Sequence, residues 1–132
     1  MTDTSTAEFS DDDLAFIETI FEHARSGETA ELAVIFERGY PTDLSNARGD
    51  TPLILAAYHQ HLETVELLLG LGTDTSAINS NGQTALVAAV FRNNELIVSA
   101  LLAAGADPSL GAHTAQAVAK QFGLTAMQEL LG

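Results

Sequence analysis

Cysteine is absent from this chain, and basic residues are scarce. Without cysteine the sequence can form neither a disulfide framework nor a metal site with thiolate ligands. Lysine and arginine together number 5 against 18 aspartates and glutamates, which gives a formal net charge of −13. The basic residues are scattered along the chain as Arg25, Arg38, Arg48, Arg92 and Lys120. Because proteins that bind nucleic acids need clustered basic side chains, we expect no direct binding to DNA or RNA.

No run of apolar residues approaches the roughly 20 that a membrane-spanning helix needs, so we expect no membrane segment. The first residues, MTDTSTAEFSDDD, are polar and acidic and lack the basic and apolar parts of a secretory signal. Together with the absence of cysteine, this favours a cytoplasmic location. A chain of 132 residues with 46% hydrophobic residues suffices for one compact domain. We expect residues 1–11 to form an acidic, flexible arm and residues 12–132 to form the domain.

Motifs that carry catalysis are missing as well. The sequence has no G-x-S-x-G nucleophile motif, no Cys–His pair and no glycine-rich phosphate loop that follows a strand. The acids Asp11–Asp13 form no complete calcium loop and instead favour the start of a helix, where the helix dipole is positive. His59 and His61 are two residues apart and so fall on different faces of a helix, which does not favour a metal site. The sequence therefore predicts no enzymatic activity, no cofactor and no bound metal.

The chain does contain a repeat with a period of 33 residues. This single offset superimposes Gly49 on Gly82, Thr51 on Thr84, Leu53 on Leu86, Leu68 on Leu101, Gly72 on Gly105 and Asp74 on Asp107. A fixed period of this size is typical of a solenoid, in which similar units stack on one another. In each unit a threonine can cap a first helix, leucines can fill a second, and a glycine can end it. The sequence thus predicts units of helix, turn, helix and extended connector.

The stretch GDTPLILAAYHQHLETVELLLGLGTDTSAINSNGQTAL resembles the ankyrin repeat through its T-P-L-x-x-A-A and L-L-L segments, as does the G-A-D that begins at Gly105. The resemblance is strong over residues 45–77 and 78–110 and weaker over residues 12–44 and 111–132. It implies an all-α ankyrin-repeat solenoid of about four helix-turn-helix repeats, the outer two acting as caps. The histidine that usually follows T-P-L is replaced by Ile54 and Val87, so apolar packing must substitute for its hydrogen bond.

The resemblance also implies a non-enzymatic module, monomeric on its own, that binds one cellular protein through its concave face. By repeat position, the implied contact residues are Asn46, Arg48, Asp50, Tyr58, His59, Asn79, Asn81, Gln83, Phe91, Arg92, His113 and Gln121. Tyr58 and Phe91 occupy the same position in successive repeats, so we expect exposed neighbours on one face, with burial under the connectors as the alternative. Phe122 is expected to be buried and to close the stack. His61 matches the structural histidine of the turn between the two helices.

Two kinds of partner remain open. Small stand-alone bacterial ankyrin proteins, which this chain resembles, have been linked to haem catalases, which implies an accessory that stabilises an oligomeric enzyme. Such an accessory would bind through Tyr58, Phe91 and Arg92 with modest dependence on salt. The strong acidity favours solubility in the first place. It would also attract a basic partner, which leaves open the alternative of an inhibitor or immunity-type protein that covers a basic surface of a nuclease or other toxin. An inhibitor of this kind would bind through carboxylates and would lose its partner in salt.

Overall fold

The computed structural model describes residues 10–132, and within that range it contains eight helices and no strand. The helices are α1 (Asp11–Ser26), α2 (Thr29–Glu37), α3 (Pro52–Tyr58), α4 (Leu62–Gly70), α5 (Ala85–Phe91), α6 (Glu95–Ala103), α7 (Ala115–Gln121) and α8 (Thr125–Leu131). They form four successive helix pairs, which confirms the predicted all-α solenoid. None of these helices is both long and apolar enough to cross a bilayer. Of the predicted arm, residues 1–9 lie outside the described residues, while Ser10 caps α1 and Asp11 begins it.

The first helices of repeats two to four each begin at a threonine cap. The Oγ1 atoms of Thr51, Thr84 and Thr114 accept hydrogen bonds from the backbone N–H three residues further on, at 3.2, 3.2 and 3.1 Å. These bonds satisfy one of the free N–H groups at a helix start. Pro52 follows Thr51 at the first helical position, where its missing N–H costs no hydrogen bond. The predicted caps are confirmed.

Helix α1 is longer than the other first helices and begins with a capping box. The Ser10 hydroxyl accepts from the Asp13 N–H, and the Asp13 carboxylate accepts from the Ser10 N–H, both at 3.1 Å. All three acids Asp11–Asp13 lie in the first turn, where the helix dipole stabilises them as predicted. Tyr40 donates its hydroxyl proton to Asp13 at 2.8 Å, and this hydrogen bond is the main cause of a lowered pKa of the Asp13 carboxyl. The connector after α2 is thereby attached to the start of α1.

The helices stack in two layers, with α1, α3, α5 and α7 in one and α2, α4 and α6 successively in contact in the other. The side chains between the layers are almost fully inaccessible, and the largest include Leu53, Leu68, Leu86, Ile97 and Leu101. Ile54 and Val87, which stand where the family usually has histidine, are each 2% exposed. Apolar packing therefore replaces the missing polar contact, as predicted. One unit alone would leave this apolar surface open to water, and stacking covers it.

A single residue with a left-handed backbone joins the two helices of each repeat. These residues are Gly27, Gln60, Asn93 and Gly123, with φ of 76°, 65°, 56° and 66°. The left-handed residue reverses the chain within a few residues, so the second helix can pack on the first. Only glycine adopts this conformation without crowding of a Cβ atom. The four positions therefore differ in conformational strain although they have the same role.

The C-terminal end of the stack is closed by α8. Met127 and Leu131 are buried there, at 0% and 8% exposed, whereas Phe122 at the end of α7 is 54% exposed. The prediction that Phe122 is buried is therefore wrong. Met127 and Leu131 of α8 fill the core of the last repeat, and the Phe122 ring packs instead against Phe91 of the preceding repeat.

Candidate functional site

The connector that leads into α3 ends in a tight turn built around Asn46. The side-chain oxygen of Asn46 accepts hydrogen bonds from the backbone N–H groups of Arg48 and Asp50, at 2.9 and 3.0 Å. The backbone N–H of Asn46 also donates to the Asp50 carbonyl at 3.0 Å. An asparagine that binds its own backbone two residues on is the usual way to stabilise such a turn. This turn leaves the Arg48 side chain exposed at its tip.

Asn79 builds the same turn in the next repeat and connects it to the first. Its side-chain oxygen accepts from the N–H groups of Asn81 and Gln83, at 3.0 and 2.9 Å. Its side-chain nitrogen donates to the Asp50 carboxylate at 2.9 Å. Asn79 is only 9% exposed, so both ends of its amide are used within the protein. Asn79 was predicted as a contact residue, but its side chain holds the two turns together, while Ser80 and Asn81 are exposed at the tip.

Three aromatic rings, which we call the aromatic row, lie side by side where the first helices end. The rings of Tyr58 and Phe91 are almost parallel, with centroids 6.3 Å apart and 12° between their planes. Phe122 meets Phe91 edge-on, with centroids 5.8 Å apart. Phe91 is 46% exposed, while Tyr58 is half-buried. Tyr58 and Phe91 are thus neighbours on one face as expected, and Phe122 extends the row to the last repeat.

Arg92 holds Tyr58 in place from the neighbouring repeat. Its Nη1 atom donates to the Tyr58 carbonyl oxygen at 3.0 Å, and its guanidinium carbon lies 5.0 Å from the centre of the Tyr58 ring. The second contact is a cation–π interaction, which orients both side chains. Arg92, predicted as a contact residue, therefore connects two repeats and fixes one end of the aromatic row.

The rings of His59 and His61 are stacked, with centroids 6.5 Å apart. The expectation that they fall on different faces is wrong, because His59 ends α3, His61 precedes α4, and left-handed Gln60 reverses the chain between them. His61 donates from Nε2 to the Arg25 carbonyl oxygen at 2.9 Å, which gives it the structural role that the sequence predicted. The His59 ring lies edge-on to Tyr58 at 5.1 Å. The two histidines therefore connect the aromatic row to the end of α1.

Repeats one to three enclose a groove of about 720 Å³ between the connector turns and the first helices. Most of the predicted contact residues line it: Asn46, Arg48, Asp50, Tyr58, His59, Asn79, Asn81, Gln83 and Phe91. Arg92, His113 and Gln121 are not part of the lining. His113 and Gln121 are exposed in the last repeat, where the connector is three residues shorter.

Two charged lining residues, Glu18 and Arg25 of α1, were not among those predicted. Arg25 lies 33 residues before Tyr58, so the repeat offset applied to the weakly matching first repeat would have identified it. The repeat offset could not identify Glu18. Helix α1 has 16 residues and α3 has 7, so Glu18 has no equivalent residue within α3. It lies on the additional length of α1.

The groove differs in charge from the rest of the molecule. Arg25 and Arg48 balance Glu18 and Asp50 within the lining, so the formal net charge of −13 arises entirely elsewhere in the chain. Among residues 10–132, the one ion pair within 4.0 Å joins His23 to Glu28. Neither arginine of the groove therefore has a carboxylate partner in the described part of the chain. Two of the five basic residues, which are scattered in the sequence, therefore line this one groove.

Burial lowers the pKa of the His59 imidazole below its ordinary value of 6.5. The positive charges of His61, Arg25 and Arg92 lower this pKa further, and the carboxylate of Asp50 opposes them. The folded protein therefore favours neutral His59 more than the unfolded chain does. The resulting contribution to the free energy of unfolding is complete above the pKa that His59 has in the unfolded chain. It is lost as the pH falls through the lower pKa that His59 has in the folded protein.

We expect the His59→Gln variant to lose less stability than the parent as the pH falls from 7 to about 5.5. The variant lacks the group that takes up a proton on unfolding in that range. Urea unfolding at several pH values, followed by circular dichroism, measures the difference. Titration of groups that do not interact with His59 cancels in the comparison. Equal slopes of unfolding free energy against pH for parent and variant would contradict the assignment.

Comparison with known proteins agrees with this architecture. The family model for ankyrin repeats, in three copies, matches residues 20–112. An ankyrin repeat protein of Pseudomonas aeruginosa is 38% identical to this chain over 67 residues. That match covers 51% of this chain and 39% of the Pseudomonas protein, so the chain spans about two fifths of that relative. Since the family match extends over more than half of the sequence and over the helix pairs that form the groove, the chain belongs to the ankyrin repeat family.

Proposed function

We propose that this protein is a non-enzymatic binding module that holds one cellular protein in the groove formed by repeats one to three. Ankyrin repeats are protein-interaction modules, and solenoids of this kind bind partners on an extended concave surface. The observation that carries the proposal is the aromatic row beside the groove, in which Phe91 is 46% and Phe122 is 54% exposed. Large rings that remain open to water next to a concave surface are typical anchors of protein interfaces.

We further propose that the partner is an oligomeric enzyme, with a haem catalase as one candidate, which this protein stabilises as an accessory. The groove supports this over an acidic inhibitor that would cover a basic site with its carboxylates. Of the two carboxylates in the lining, that of Asp50 already accepts a hydrogen bond from Asn79. Arg25 and Arg48 in the same lining would repel a basic partner, whereas the aromatic row offers a continuous apolar contact.

The Tyr58→Ala/Phe91→Ala variant is expected to lose its partner while it keeps its helical circular dichroism spectrum. Truncation of an interface anchor costs about 2 kcal/mol or more of binding free energy, which corresponds to roughly a 30-fold weaker affinity. A pull-down from native extract at low and high salt, read by mass spectrometry, measures the loss. Leu71→Ala/Leu96→Ala is the matched control, since it removes two exposed apolar side chains that do not line the groove.

The accessory proposal requires one protein that parent and control both retain in high salt and that the aromatic variant loses. Capture that survives the aromatic substitutions but disappears in salt would contradict it and would favour the acidic inhibitor. Loss of the helical spectrum in the aromatic variant would place Tyr58 and Phe91 in the core. In that case the single Phe91→Ala variant, in which the more exposed ring is removed, repeats the test.

A further inference from the structure

We infer that the groove accepts an extended segment of the partner in which an aspartate or glutamate is adjacent to an aromatic or aliphatic side chain. This inference rests on the proposed function, because it specifies the chemistry of the segment that the groove binds. Two arginines that have no carboxylate partner among residues 10–132 line the groove together with Tyr58 and Phe91, and the remainder of the chain is strongly acidic.

The basic side of the groove is formed by Arg25 at the end of α1 and Arg48 at the first connector turn. Both side chains are exposed and line the groove. Although the chain has 18 acidic residues, none lies within 4.0 Å of either guanidinium among residues 10–132. A guanidinium binds a carboxylate through two parallel hydrogen bonds, which makes arginine well suited to an acidic side chain. Two such groups in one concave site therefore favour a carboxylate ligand.

The apolar side of the groove belongs to the same lining as this basic side. Tyr58 and Phe91 belong to both the lining and the aromatic row. The His59 ring lies edge-on to Tyr58 at 5.1 Å and lines the same groove. Arg25 lines the groove with them, and its positive charge acts on the His59 imidazole. A ligand in the groove therefore meets aromatic rings and a guanidinium in one site, which adjacent apolar and acidic side chains match.

The charge outside the groove restricts where an acidic segment can bind on this protein. The groove lining is formally neutral, and the remainder of the molecule carries the whole net charge of −13. An acidic segment is repelled by that remainder, so the groove is the part of the surface that it can approach. A basic segment would instead be attracted to many exposed carboxylates and would gain little from the groove in particular.

The test is selection of a displayed library of random peptides on the full chain, with binding of the enriched peptides measured by fluorescence anisotropy. We expect enrichment of aspartate or glutamate beside phenylalanine, tyrosine or leucine. For these peptides Arg25→Gln/Arg48→Gln should weaken binding by about tenfold or more, since two charge-assisted contacts are lost. Arg38→Gln/Lys120→Gln is the matched control, because it removes the same charge from exposed residues that do not line the groove.

The outcomes separate this inference from the proposed function. Peptides that lose binding in Tyr58→Ala/Phe91→Ala but show no excess of acidic residues would overturn the inference and leave the groove as the binding site. Equal weakening by the two charge-matched pairs would overturn it too, because net charge alone would then explain the effect. If no enriched peptide responds to the aromatic substitutions, both the inference and the proposed function fail.

Discussion

Leu68→Ala is expected to lower the free energy of unfolding by about 3 kcal/mol, within the range of roughly 2–5 kcal/mol for buried leucines. Leu101→Ala should cost about the same, since the two residues are repeat equivalents and both are 0% exposed. Each substitution removes three buried carbon atoms and leaves a cavity between the helix layers that the neighbouring repeats cannot fully close. Urea unfolding followed by circular dichroism measures the loss.

Leu96→Ala provides the control for these core substitutions. Leu96 is 68% exposed on α6, so its truncation removes little buried surface and should change stability by about 0.5 kcal/mol or less. At roughly 2–8 °C per kcal/mol, the core variants should melt on the order of 10 °C below the parent. If Leu68→Ala or Leu101→Ala melts within a degree or two of the parent, the assignment of the core is wrong.

Gly27→Ala is the second substitution with a large expected effect, at about 2–3 kcal/mol of lost stability from two additive causes. The backbone at Gly27 is left-handed with φ of 76°, which any residue with a Cβ adopts at a cost. The added Cβ would also lie 2.5 Å from Nδ1 of His61, far inside van der Waals contact. Because His61 is bonded to the Arg25 carbonyl, its ring cannot move away without loss of that hydrogen bond.

Gly123→Ala separates the two causes. Gly123 has the same place in the last repeat and φ of 66°, but a Cβ there would have no neighbouring atom within 4 Å. Gly123→Ala should therefore lower the free energy of unfolding only through the left-handed backbone, by about 1 kcal/mol. In a His61→Ala background, Gly27→Ala should fall to the same value, as in a double-mutant cycle. An unchanged cost of Gly27→Ala in that background would exclude the His61 contact as its cause.

The features that sequence predicted correctly depend on short-range contacts. A threonine cap needs only the backbone N–H three residues further on, so Thr51, Thr84 and Thr114 identify three helix starts by themselves. Burial of Ile54 and Val87 likewise follows from their position next to those caps. Phe122 was predicted wrongly because its environment is set by Phe91 in the preceding repeat and by the packing of α8. Neither contact has a local signal in the sequence.

For the groove as well, the sequence predicted where residues lie but not which residues they contact. The repeat offset gave the positions of most lining residues, because equivalent residues of stacked units lie on one face. It could not show that the Asn79 amide is used by the turns, since its bond to Asp50 crosses between repeats. Arg25 was missed because the first repeat matches the pattern weakly. His59 and His61 were predicted to lie on different faces because their two-residue spacing does not show that left-handed Gln60 brings the two rings together.

The stacking of each repeat on its neighbour also bears on how the protein folds. The main helix contacts join adjacent repeats, so the segments that must meet are seldom far apart along the chain. Chains with such local contacts fold quickly, and structure can spread from one unit to the next. The groove, however, takes residues from three consecutive repeats. A partly folded chain with one or two repeats formed would therefore have helical structure without a complete groove, and the binding that we propose would become possible only when the third repeat docks.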